Sequence, residues 1–158
     1  MRFFSIHQYF NKLHIAFLSL MMLPVLAFIV IYLTTDQQVP GTNPVYFAAI
    51  PLTALLDWVI GIVTFNKKIK SARNAQELGA KLEKYFNITI VRYSFVSGAG
   101  LILAFGFFLT NHELFGGFYL LNLLCSLLLW PTGPRVSREL RLRGDEREMV
   151  YFKKDTLS

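Results

Sequence analysis

Apolar and polar positions in this chain fall into long blocks. Four stretches run almost without ionisable groups: Leu13 to Leu33, Val45 to Phe65, Ile88 to Leu109 and Leu114 to Trp130. Three are 21 or 22 residues long and the last is 17. Roughly 20 apolar residues, each rising about 1.5 Å as helix, cross a hydrocarbon core of about 30 Å. The first three therefore predict spanning helices, and the fourth a span at the short limit with little tilt. A soluble helix would show a polar stripe about every 3.6 residues, and "LPVLAFIVIYL" shows none. The first run is expected to be a retained helix: it is long for a leader, and "TTDQQVPGT" offers no small-x-small cleavage site.

The runs fall into a pattern. "YFNKLHIAF" begins at Tyr9 and "YFNITIVRY" at Tyr85, 76 positions apart, each at the threshold of an apolar run. At that shift the first and third runs stay in register and both end in Leu-Thr, at Leu33-Thr34 and Leu109-Thr110. The second and fourth runs match at a shift of 72, "ALLDW" over "SLLLW", the outer connection being four residues shorter. The expected fold is all-α: a four-helix transmembrane bundle of two tandem hairpins, a parallel repeat about an axis along the membrane normal. One integral membrane domain, 1–158, is expected. Hairpin one is 13–65, a cytoplasmic linker helix 66–87, hairpin two 88–130 and a basic cytoplasmic tail 131–158. In the linker, Leu78, Leu82 and Tyr85 share a stripe, and Glu77 supports Lys81. In the tail, Pro131 and Pro134 end the fourth helix and start a short basic one with Val136 and Leu140 on one side. Phe3, Ile6 and Phe10 predict an interfacial turn. Tyr9 and Tyr85 suit the headgroup layer with wet hydroxyls, and Asn11 and Asn87 suit helix caps.

Charge orients this arrangement. Hydrophobic residues make up 54% of the chain and charged ones 16%, with a net charge of +6. Arg2 and Lys12 precede the first run, six Lys or Arg lie between the second and third, and seven follow the fourth. The other two connections have none. The positive-inside rule then expects both termini and the middle loop in the cytoplasm. The basic excess is matched to anionic headgroups and not to nucleic acid.

Within the runs, Asp57 is the sharpest candidate. It is the only acid there, and it sits about 12 Å deep. An intramembrane acid costs about 2.5 to 3.5 kcal/mol on insertion scales. Arg92, four residues into the third run, and His14, early in the first, lie on the same side. The three together make a possible proton or ion site. The alternative is that Arg92 snorkels to the headgroups and Asp57 is a structural hydrogen-bonding group. The third run also concentrates small residues at helix-packing spacing: Ser97, Gly100 and Ala104 on one face, and Ser94 four before Gly98. Pro24 and Pro51 predict kinks. Asn122, Cys125 and Ser126 suit interhelical packing, and His112 with Glu113 suits a solvated turn. Cys125 is the single cysteine, so no disulfide framework is available within one chain. No nucleophile elbow, phosphate loop, paired carboxylates or zinc-type set is present, and no catalytic residue, metal or cofactor is expected.

"LGAKLEKYFNITIVRYSF" and "WPTGPRVSRELRL" resemble a group of small four-span membrane proteins of Bacteroidetes. The resemblance rests on Leu78, Lys81, Leu82 and Tyr85 leading into the third helix, Arg92 within it, and Pro131, Thr132 and Arg135 after the fourth. It lies mainly in the second half and implies a bacterial inner membrane without implying an activity. An acid common in that group's third helix is replaced here by Ser97-Gly98. The duplicated proteolipid subunits of rotary ATPases are similar in architecture only. Their acid stands in the last helix, and their helices are less bulky. The leading functional expectation is a non-enzymatic, oligomeric accessory or interaction component, partnered by the bilayer and a homo-oligomer or membrane protein. The competing one is a small ion- or proton-coupled transporter or channel using Asp57.

Overall fold

A computed structural model describes residues 5–34 and 43–154. These form six helices and no strand: α1 (Ile6–Thr34), α2 (Pro44–Arg73), α3 (Leu78–Thr110), α4 (Glu113–Leu127), α5 (Gly133–Leu140) and α6 (Gly144–Phe152). Phe3, the connection over 35–42 and the last tail residues, 155–158, lie outside the described residues. Three helices, α1, α2 and α3, are long and apolar enough to cross a membrane. At 15 residues α4 is a shorter apolar helix, about 22 Å long.

The helix ends follow from local chemistry. Asn43 caps α2 by accepting from the Val45 amide at 3.1 Å, with Pro44 in the first turn. The His112 ring caps α4 by accepting from the Leu114 amide at 3.2 Å. Asn111 closes α3 in the left-handed region at φ 46°, which asparagine tolerates better than most residues. Contrary to expectation, no separate linker helix spans 66–87. Lys67 to Arg73 prolong α2, Leu78 to Asn87 form the first turns of α3, and only Asn74–Glu77 separates them. Good helix formers on both sides let each helix run on past its apolar stretch. Asn11 and Asn87 are consequently helix-interior, and Ser5 caps α1 by accepting from the Gln8 amide.

Helix α3 is the centre of the molecule. In its apolar stretch 56% of residues are buried, against 17% in α1 and 11% in α2, so α3 is wrapped by the others. Small residues permit this. A Cβ on Gly61 would stand 2.9 Å from that of Phe95, and one on Gly106 would stand 2.8 Å from both Ile50 and Phe115. Helix α2 packs antiparallel on α3, α4 packs on α3 as well, and α1 packs along α3 and not along α2. Positions 76 or 77 apart stand level on α1 and α3: Phe17 against Tyr93, Leu20 against Ser97 and Pro24 against Gly100. The second proposed correspondence is not level in the same way, because Trp58 lies within α2 and Trp130 lies past the end of α4.

At the basic end, α5 and α6 close over the helices. Tyr9, Phe10, Leu13, Phe65, Ile69, Tyr85 and Ile88 pack with Val136, Leu140, Leu142 and Val150 from the tail. Tyr9 and Tyr85 are therefore core residues, both 0% exposed, and not wet interfacial anchors. The tail helices supply the cover that the isolated Tyr-Phe-Asn segments could not reveal.

Candidate functional site: a half-buried carboxylate beneath the tail helices

Helix α5 owes its place to its sequence. The chain leaves α4 at Leu127, turns through Trp130 and Pro131, and restarts where the Thr132 hydroxyl accepts from the Arg135 amide, with Pro134 in the first turn. Val136 and Leu140, one turn apart, face the core. That facing aims Glu139 into the angle between α2, α3 and α5.

Four donors converge on Glu139. Its Oε2 accepts from the Tyr85 hydroxyl at 2.5 Å, and its Oε1 accepts from Arg135 Nε at 2.9 Å and from Arg92 Nη1 at 3.4 Å. Its backbone carbonyl accepts from Arg73 Nε at 2.8 Å. Arg135 Nη1 also donates to the Leu128 carbonyl, tying α5 to the end of α4. Arg92 is 4% exposed. Its guanidinium lies 3.9 Å from the Phe65 ring centroid, a cation–π contact strengthened by desolvation. Among the described residues its Nε and Nη2 have no hydrogen-bond partner. Burial alone would push the Glu139 carboxyl pKa up. The Arg92 charge, the Tyr85 hydrogen bond and the Arg135 charge outweigh it and hold the group below its ordinary 4.5. Glu139 therefore stays ionised near neutrality, with its oxygens already taken up as acceptors. Chemically this is a latch between the tail helix α5 and helices α2 and α3, not an exposed acid or base.

The three residues grouped as an ion site are not brought together. Arg92 pairs with Glu139. Asp57 lies against Gly98, whose added Cβ would stand 2.9 Å from Asp57 Oδ2, and Gly98 is six residues beyond Arg92 on α3, about 9 Å along the axis. His14 Nε2 is 2.9 Å from the Pro131 carbonyl, an acceptor only, so that nitrogen carries the proton. The ring stacks on Trp130 at 5.4 Å and anchors the turn between α4 and α5. The small residues of α3 meet neighbours in this chain. Ser97 Oγ donates to the Leu20 carbonyl at 2.6 Å, Gly100 meets Pro24 and Asn122, and Ala104 is buried. Ser94 instead bonds the Ile90 carbonyl of its own helix and is exposed. Asn122 Oδ1 accepts from Trp58 Nε1 at 2.7 Å. Among the described residues no group of three or more His, Cys, Asp or Glu could hold a metal.

Glu139 was the residue that sequence reasoning passed over. The available signal was its isolation: a single acid among Arg135, Arg138, Arg141 and Arg143, four residues after Arg135. Comparison adds nothing further, since no family model, curated protein or solved structure matches this chain.

Proposed function

We propose that this chain is a multi-span protein of a bacterial inner membrane, acting as a non-enzymatic, oligomeric accessory or interaction component. The observation that carries the reading is the sealed latch. The polar constellation that gathers charged groups from several helices pairs internally, with Arg92 4% exposed and both Glu139 carboxylate oxygens accepting from this chain's own donors. Around it, α1, α2 and α4 turn aliphatic side chains such as Leu26, Leu55, Val59 and Leu124 outward, as a lipid-facing surface requires. Four crossings are supported by the path of α4. It starts beside Phe47 at one end and hands over to α5 beside His14 and Glu139 at the other. Lys67, Lys68, Lys70, Arg73 and the basic tail share that latter end, which the positive-inside rule makes cytoplasmic.

The test uses single cysteines in a Cys125→Ser background, at Ser71 and at Glu113, with an impermeant maleimide on spheroplasts. Labelling at Glu113 and not at Ser71 is expected, and the converse defeats the orientation. Native mass spectrometry of the purified protein reads the oligomer directly.

One observation favours the second reading, a proton- or ion-coupled transporter. Asp57 makes no hydrogen bond or ion pair among the described residues and rests against Gly98. Liposome flux that disappears in Asp57→Asn would establish that reading in place of the first.

A further inference from the structure

We infer that the groove between α2 and α3 at the basic end binds the headgroup of an anionic phospholipid. This rests on the membrane reading above. The groove has a volume of about 420 Å³ and is lined by Lys68 and Ser71 of α2 and by Lys84, Asn87, Ile88 and Val91 of α3. That size falls in the range of small-molecule sites, roughly 300 to 1,000 Å³.

Its layout is graded. The apolar run of α2 stops at Phe65 and that of α3 begins at Ile88. Phe65 lies against Arg92, so Lys68 stands one turn past the apolar boundary, opposite the start of the third run. Ile88 and Val91 therefore form the membrane-side floor, and the two lysines, the hydroxyl and the amide form the water-side rim. A phospholipid has the same order along its length, with acyl chains against the floor and the phosphodiester at the rim.

Charge gives the selectivity. Among the described residues neither Lys68 nor Lys84 makes an ion pair, whereas nearby Lys81 is held by Glu146 at 2.6 Å. Two ammonium groups facing one groove without a carboxylate repel each other, and a phosphodiester oxygen relieves both. Ser71 and Asn87 can donate to the remaining phosphate or glycerol oxygens. A zwitterionic lipid offers the same phosphate but brings a third cation to the rim, so the site selects a headgroup of net negative charge.

The experiment is native mass spectrometry of the detergent-purified full chain, titrated with phosphatidylglycerol or phosphatidylcholine of identical acyl chains. Wild type is expected to prefer phosphatidylglycerol. Lys68→Gln with Lys84→Gln should lose about thirtyfold of that affinity, about fivefold for each lysine near an anionic headgroup. The pair Lys67→Gln with Lys70→Gln removes the same charge from exposed positions outside the groove and should retain the preference. Equal losses in the two pairs, or no preference in wild type, would overturn the site. Displacement of the lipid by an equal concentration of glycerol phosphate would also overturn it, leaving a soluble-phosphate site. Carbonate extraction of membranes separates the two layers of the proposal. A chain released by carbonate sinks the membrane reading and this site with it, while a retained chain with indistinguishable lysine pairs sinks the site alone.

Discussion

Replacing Glu139 by Gln keeps the side chain's shape and its capacity to accept from Tyr85, but removes the only carboxylate that, among the described residues, pairs with Arg92. The Arg92 side chain is 5% exposed, so its cation would be left desolvated without a counter-charge. Breaking a buried pair from one side costs about 3 to 5 kcal/mol. The Glu139 side chain is 17% exposed and the Arg92 contact is long at 3.4 Å, which puts the expected cost at the low end, about 3 kcal/mol. That corresponds to about a 150-fold shift in the docking equilibrium of α5. Hydrogen–deuterium exchange reads this opening directly. Amides of α5 should exchange about 150-fold faster in Glu139→Gln, while amides in the middle of α3, such as those near Ala99, stay unchanged. Arg135→Gln, which removes a more exposed partner, should shift α5 by less than about fivefold, since such pairs contribute up to about 1 kcal/mol. If α5 exchange in Glu139→Gln matched wild type, the carboxylate would not be what holds the tail.

The latch should also open in acid. The folded-state pKa of Glu139 is depressed below 4.5, so its contribution is complete above that value and disappears as pH falls through the folded value; α5 exchange should rise as the pH is taken below 4.5 in wild type and show no such step in Glu139→Gln. Gly106→Leu forces bulk into a space where even a Cβ would stand 2.8 Å from Ile50 and Phe115, and should lower thermal stability by about 1 to 3 kcal/mol or more; an unchanged melting temperature would mean α3 is not wrapped closely there. Trp58→Phe removes the donor to Asn122 and should cost about 0.6 to 1.5 kcal/mol, measurable by unfolding in mixed micelles. A loss of over 3 kcal/mol would show that ring packing, not the hydrogen bond, dominates.

Much of the fold was legible because long apolar blocks admit few readings. The helices at Ile6–Thr34, Pro44–Arg73 and Leu78–Thr110 contain the three runs of spanning length, and α5 starts at the proline-bounded point with Val136 and Leu140 inward. The boundaries at the basic end were less legible. Lys67 to Arg73 and Leu78 to Asn87 are compatible with a separate surface helix or with extensions of α2 and α3, and local propensity does not choose between them. Tyr9 and Tyr85 illustrate the same limit: a tyrosine beside an apolar run suits an interface or a core equally, and the cover supplied by α5 and α6 decides for the core.

The sequence by itself determined the all-helical class, the number and place of the long apolar segments, and the gathering of basic groups at one end. Those properties follow from composition and period, which any compact arrangement must respect. Only the tertiary structure decided which charges meet. Arg92 had Asp57 and Glu139 as possible partners, one 35 positions before it and one 47 after. The choice fell to Glu139 because the packing of Val136 and Leu140 swings it over the end of α3, while the Gly98 contact holds Asp57 about 9 Å away along the axis. An ion pair depends on distances of a few ångströms, and those are fixed by how helices pack rather than by where residues lie along the chain.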